Sequence, residues 1–462
     1  MTPDTIFSRL ARFACDLTLD SLPAEVVTKV DHCLLDLIGA TYGALSGPGA
    51  AALRRYALAT NASPDAVIWG TSQRAGAAEV AMLHGAAGYE LDFDDGISLG
   101  GHWGSSAIPA ILALAERERA SAEDVVLAIV AAYEVGTRIS RTLAKGLLNR
   151  GIHFPGLMGA LATAVGAGRI LRLDAATLAQ ALGHCGLLPV APYQPAFGGS
   201  LSKNLYSGWP NLAGIHFAGM ARAGYGGPPD VFEAEKGLAQ ALGWQGSADA
   251  LAALALRDLG TRFAILETYF KPYPCCRWLH APARAVLDLL PRGKDPAAIA
   301  NIHVMAPGFL GMYNDHGPYT EIVTAKYSLP YCVAAAARWG KLDRAAFEET
   351  ARRDGELNRL AGIVSFSADA ELEAAFPGVF TSRVEITLQD GRLLTATARL
   401  PWGPDAPPNL AALSAKFTPL MQEACGAEAA ADWLWYFDCG LLADRDLSGL
   451  LALFRRPLLQ VA

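Results

Sequence analysis

Residues Ala24–Leu45 read AEVVTKVDHCLLDLIGATYGAL. Val27, Val30, Leu34, Leu37, Ile38 and Thr41 recur at three- and four-residue spacings, which puts them on one face of a 3.6-residue helix. Pro23, with its fixed φ and missing N–H, suits the first turn of that helix. The same period returns in Ala77–Tyr89, Ser106–Arg119, Ala122–Leu147, Gly156–Ile170, Ala175–Cys185 and Asn211–Ala223. These segments are rich in Ala and Gly and often apolar on more than one side, as helices packed from several directions must be. Gly accounts for 46 of 462 residues, and inside a helix each costs about 1 kcal/mol relative to Ala unless it lets two helices approach closely. The pattern predicts a dense all-α core.

After Glu267 the period changes. Ile302–Met305, Val384–Leu388 and Leu393–Arg399 are β-branched or alternating, and Asp390-Gly391 between the last two signals a hairpin over 383–399. Trp278–Leu290, Tyr331–Arg338 and Arg344–Ala351 read as helices among these strands. Gly403-Pro404-Asp405-Ala406-Pro407-Pro408 has the composition of a linker, and Leu410–Ala427 and Arg445–Phe454 are helical again. The expected class is therefore mainly α: a large all-helical domain formed by 1–267 and 403–462, and a smaller α+β domain over 268–402.

Composition narrows the function classes. Hydrophobic residues make up 52% and charged residues 18%, the balance of a folded chain with a large core. Lys plus Arg is 38 against 45 Asp plus Glu, a net charge of −7, so no basic field exists to hold a phosphate backbone and nucleic acid is not an expected partner. Eight scattered cysteines, with no CxxC pair and no zinc-like spacing, fit reduced, buried thiols. Met1–Phe13 carries Asp4, Arg9 and Arg12 and no long apolar run, so a cytoplasmic protein is expected. The uncharged stretch Ala175–Ser202 is long enough to span a bilayer, but Pro189, Pro192, Pro195 and the Gly198-Gly199 pair would break the helix, and no membrane span is expected.

Four polar constellations interrupt this apolar chain. Glu90-Leu91-Asp92-Phe93-Asp94-Asp95-Gly96, followed by Gly100-Gly101-His102-Trp103, is an acidic loop beside a histidine that a carboxylate could orient for acid–base work. A calcium loop wants Glu at its twelfth position, where Trp103 stands, so no metal is expected. Gly151-Ile152-His153-Phe154-Pro155-Gly156 sets a histidine just before a helix, where the helix dipole favours neutral imidazole and attracts anions. Lys203 ends the uncharged stretch on a Gly-rich loop. Ser200 and Lys203 share the S-x-x-K spacing of some acyl-transfer enzymes, but neither S-D-N nor K-T-G follows. Lys271-Pro272-Tyr273-Pro274-Cys275-Cys276-Arg277 fixes two cations on a proline-bounded turn, a disposition that suits a carboxylate. Gly47-Pro48-Gly49 imitates a dinucleotide fingerprint but follows a helix and contains Pro, which removes that reading. Each constellation alone is also compatible with a solvated loop or a packed core residue.

In this order the pieces resemble the MmgE/PrpD family: L-D-F-D-D with a histidine after it (Leu91 to His102), G-x-H-F-P (Gly151 to Pro155), S-K-x-L-x-x-G (Ser202 to Gly208), K-P-Y-P-x-C-R (Lys271 to Arg277) and A-K-Y-S-L-P-Y (Ala325 to Tyr331). The family includes 2-methylcitrate dehydratase, cis-aconitate decarboxylase and iminodisuccinate epimerase. The resemblance implies a helical domain closed by an α+β lid, a homodimer, and no metal or organic cofactor. It places Asp92, His102, His153, Lys203, Lys271 and Tyr331 at active-site positions, with the histidines moving protons, Asp92 orienting one of them, the lysines holding charge on a substrate carboxylate and Tyr331 donating to substrate oxygen. The chain departs from the decarboxylases at Gly96 (their threonine), Trp103 (proline), Asn204 and Tyr206 (proline and histidine) and Cys276 (histidine). Gly96, Trp103, Tyr206, Cys276 and Arg277 are accordingly expected at the substrate, with Trp103 reshaping the pocket. The expected function is a dehydratase acting on a small hydroxylated di- or tricarboxylate. Decarboxylase, epimerase and a non-catalytic carboxylate-binding protein are the alternatives.

Overall fold

The helix of Ala24–Leu45 (α1) forms with those bounds, and Pro23 stands one position earlier, at the N-cap. The computed structural model describes residues 4–60, 63–187, 191–193, 200–290, 295–376 and 378–460; Pro189, Pro195 and the Gly198-Gly199 pair lie outside them. Five further helices frame the candidate residues: α2 (Ala77–Glu90), α3 (Trp103–Glu118), α4 (Ala122–Asn149), α5 (Phe154–Ile170) and α6 (Leu205–Arg222). The start of α6 lies six residues before the expected Asn211, and Pro210 is accommodated inside the helix. Gly47-Pro48-Gly49 opens the helix Pro48–Ala59, with Gly47 as N-cap and Pro48 in the first turn. Beyond the linker, Leu410–Cys425 ends where Gly426 turns to φ +91°, and a second helix, Ala427–Cys439, follows that was not expected from the sequence.

The described residues divide into two units, the first drawn from Met1–Tyr193, Leu201–Phe270 and Pro407–Ala462, the second from Lys271–Ala406 together with Ser200. In the first, glycines set the helix crossings. A Cβ at Gly85 of α2 would stand 2.8 Å from Ser105 O and 2.9 Å from Ser207 O, and one at Gly208 of α6 would stand 2.8 Å from Met82 O. Helices α2, α3 and α6 thus pass backbone against backbone, and their glycines are compensated by that approach.

One buried side chain repairs the crossing. Pro109 inside α3 has no N–H to give Ser105 O. Asn211 of α6 supplies it: Nδ2 donates to Ser105 O (2.8 Å) and to Ser207 O (2.7 Å), and Oδ1 accepts the Ala110 N–H (2.9 Å). Because unpaired buried amide groups cost about 1–3 kcal/mol each, Asn211→Leu is expected to lower unfolding free energy by about 3 kcal/mol, read as a shift of the urea midpoint.

The second unit carries a four-stranded sheet in the order Val364–Ala368, Ile299–Ala306, Thr381–Leu388, Leu393–Arg399. The first pair is parallel and the other two antiparallel. The hairpin turns at Gly391 (φ +83°), where Gly391 N–H donates to Leu388 O. Val364–Ala368 was not expected, its short Val-Ser-Phe-Ser-Ala alternation being weak in a loop-rich stretch. Helices His280–Leu289 and Leu329–Trp339 pack with one another, the former also against the hairpin strands.

Candidate active site

Helix α2 ends at Glu90, and Asp92 then takes a left-handed conformation (φ +53°) that a short polar side chain tolerates. Lys416, from Leu410–Cys425, clamps the centre of the acidic loop: Nζ pairs with Asp36 of α1 (2.5 Å), donates to Phe93 O, and lies 4.1 Å from the Phe93 ring centroid. Side chains on either side of Phe93 are thereby fixed in different directions.

Asp92 points to Lys203, whose Nζ lies 2.6 Å from Oδ2, with both side chains at most 2% exposed. The ammonium also sits 4.2 Å from the centre of the Tyr89 ring. Asp94 points to His102. The His102 Nδ1 is 2.8 Å from Asp95 O and 3.1 Å from Asp94 Oδ2. A carbonyl oxygen only accepts, so Nδ1 carries the proton and, in the neutral ring, Nε2 carries the lone pair. Ser105 Oγ donates to the same Asp94 Oδ2 (2.8 Å). The carboxylate that orients a histidine is thus Asp94, and Asp92, to which the family resemblance assigned that task, holds the lysine.

Both histidines are N-caps, His102 of α3 and His153 of α5. His153 Nδ1 accepts the Gly156 N–H (3.1 Å), which leaves the ring proton on Nε2, 3.3 Å from the Tyr89 hydroxyl. Burial, then the neighbouring His102 and Lys203, hold its pKa well below the usual histidine value, so the ring is neutral. Burial, then the charge of Asp92, pushes the Tyr89 phenol up, and it stays protonated. Tyr89 is the hub of the cluster: its ring meets His102 edge-on at 5.1 Å and His153 at 6.3 Å. Tyr206 stacks on His153 at 4.3 Å and donates its hydroxyl to Pro192 O. Asp92, His102, His153, Lys203 and Tyr206 therefore converge. Tyr89, Asp94, Asp95 and Tyr269 join them unannounced: Tyr89 reads as one more apolar-face residue of α2, and only the acid density of the loop pointed to Asp94 and Asp95.

Asp95 is a buried acid. Tyr133 donates to its Oδ2 (2.6 Å), yet burial, then the charge of Asp36, raises its pKa from 3.8 to about 7. The folded protein thus keeps a proton that the unfolded chain releases above about pH 4, so this group's contribution is full at low pH and is lost as pH rises toward 7. Asp95→Asn is expected to flatten that dependence. Between pH 5 and pH 8 its urea-derived stability is expected to gain about 2 kcal/mol on that of the unsubstituted protein.

Residues 8–249 match the MmgE/PrpD N-terminal domain and residues 273–435 the MmgE/PrpD C-terminal domain. The chain belongs to the MmgE/PrpD family. Cis-aconitate decarboxylase of Aspergillus terreus is 26% identical over 437 residues, covering 87% of this chain and 86% of the relative. Human cis-aconitate decarboxylase is 26% identical over 233 residues, covering 48% and 47%. The chain thus belongs to a family whose members include such lyases.

The remaining residues suggested by the family motifs are placed as follows. Trp103 is fully buried, its indole N–H donating to Thr137 Oγ1 (2.8 Å), and a Cβ at Gly101 would stand 2.5 Å from its ring. Its place is the interior between α3 and α4, behind the histidine. Lys271, Cys276, Arg277 and Tyr331 belong to the second unit, where each is at most 7% exposed. The Cys276 N–H donates to Lys326 O, and the Tyr331 hydroxyl donates to Ala346 O (2.6 Å), which commits it to the main chain. Gly96 bridges Tyr269 through the main chain. Among the described residues no helix is long and apolar enough to cross a membrane, and no group of three or more His, Cys, Asp or Glu is disposed to hold a metal ion.

Proposed function

We propose that this MmgE/PrpD protein is a cofactor-independent dehydratase acting on a small hydroxylated di- or tricarboxylate. The observation that carries the reading is the proton placement on the two histidines, a base nitrogen on His102 and a neutral donor nitrogen on His153. His102 Nε2 takes the proton from the carbon next to a substrate carboxylate. Negative charge then builds on that carboxylate, and the buried Lys203 ammonium, in a site that water barely reaches, stabilises it. His153, kept neutral by burial and its neighbours, gives a hydrogen bond without accepting the proton. As the C–O bond on the adjacent carbon breaks, the proton on His102 passes to the departing hydroxide. Water and an unsaturated acid result, and His102 ends as it began.

Decarboxylation is the second reading, favoured by the two relatives named cis-aconitate decarboxylase. Incubation in deuterated water with citrate, methylcitrate, aconitate, itaconate and substituted succinates, followed by NMR, separates the two. Dehydration gives an alkene with retention of every carbon and deuterium entering next to a carboxylate. Carbon dioxide release assigns the decarboxylase, and silence across the panel removes both.

A further inference from the structure

Gly96 has no side chain, and the space beside it is taken. A Cβ there would stand 2.5 Å from the hydroxyl oxygen of Tyr269 and 2.7 Å from its ring carbon Cζ. Two main-chain hydrogen bonds hold the residues together: Gly96 N–H to Tyr269 O (3.1 Å) and Tyr269 N–H to Gly96 O (2.9 Å). Tyr269 is 6% exposed, and its ring stands edge-on to that of His102, at 6.5 Å and 87°. A backbone bridge therefore delivers a phenol to the acidic loop six residues before the histidine that carries the base nitrogen, and only glycine at position 96 leaves room for it.

The chemistry of that hydroxyl differs from that of Lys203 and His153. Lys203 is a cation suited to a carboxylate, and His153 is a neutral imidazole. A phenol both donates and accepts, which matches an alcohol oxygen that changes from hydroxyl to hydroxide to water while the donor stays neutral. Resting on the dehydratase reading above, we propose that Tyr269 contacts substrate and determines specificity: its hydroxyl binds the hydroxyl oxygen that leaves. Sites built to pair a substrate hydroxyl reject the analogue lacking it.

The test is calorimetric titration of the full chain with two matched pairs, malate against succinate and citrate against propane-1,2,3-tricarboxylate, in the unsubstituted protein and in Tyr269→Phe. The unsubstituted protein is expected to favour the hydroxylated member of at least one pair by about tenfold, and Tyr269→Phe to reduce that preference to about twofold without weakening the deoxy acid. Gly96→Ala, whose Cβ displaces the same phenol, is expected to reproduce the loss from another position in the chain. Tyr269→Phe with the preference intact, or an unsubstituted protein with no preference, overturns the assignment; deuterium exchange next to a carboxylate would then still uphold the dehydratase reading. An unsubstituted protein that neither binds nor exchanges these acids overturns both.

Discussion

Replacing His102 with Gln is expected to lower the rate of deuterium exchange next to a substrate carboxylate by about 10³-fold, the scale set by loss of a positioned general base. Glutamine keeps a planar group at the N-cap of α3 and a donor for Asp95 O, so the loop is expected to retain its course and the circular dichroism and urea midpoint to stay near those of the unsubstituted protein. KM is expected to change little, since in the proposed reaction the lost nitrogen acts on the reacting carbon and not on a binding group. Asp94→Asn is the companion measurement. It keeps the ring in place through the Asp95 carbonyl (2.8 Å) and removes the carboxylate that supports the imidazolium (3.1 Å). Once His102 is absent, Asp94→Asn is expected to add almost nothing, because groups acting as a unit are not additive. Full additivity of the two losses would show Asp94 acting elsewhere.

What was legible in the sequence follows from where each signal is written. Helix α1 is visible because its apolar residues repeat locally, and the Thr381–Arg399 hairpin because Asp390-Gly391 marks its own turn. Val364–Ala368 is a strand only because it pairs with Ile299–Ala306, so its identity is written mostly in a distant segment. The role of Asn211 is likewise set by distant packing, its side chain pairing with carbonyls of its own helix and of α3. At the site, motifs located His102, His153 and Lys203 because these residue types are rare in an apolar chain. They did not reveal that Asp92 and Asp94, two positions apart, turn to different partners, because the left-handed backbone at Asp92 and the Lys416 clamp decide that direction. Tyr89 and Trp103 are both aromatic residues beside the motif, and only packing makes one the hub and the other a filler.

The Asp92–Lys203 pair separates stability from chemistry. Both side chains are almost fully removed from water and their charged atoms lie 2.6 Å apart. Removing one charge leaves the other buried without its counter-ion, which typically costs 3–5 kcal/mol, whereas removing both together is often close to neutral. Asp92→Asn and Lys203→Met are each expected to lower unfolding stability by about 3 kcal/mol, and the double substitution by about 1 kcal/mol, a coupling read from the urea midpoints of the four proteins. Activity is expected to follow a different order. Every protein lacking Lys203 loses the cation proposed to hold charge on the substrate carboxylate, so Lys203→Met and the stable double variant are both expected to turn over about 10²- to 10³-fold more slowly. Asp92→Asn keeps the ammonium over the Tyr89 ring (4.2 Å) and is expected to retain more activity than either, despite its low stability. A double variant that recovered its rate along with its fold would make the lysine a structural partner of Asp92 and nothing more, and would leave the carboxylate charge to be held by another cation.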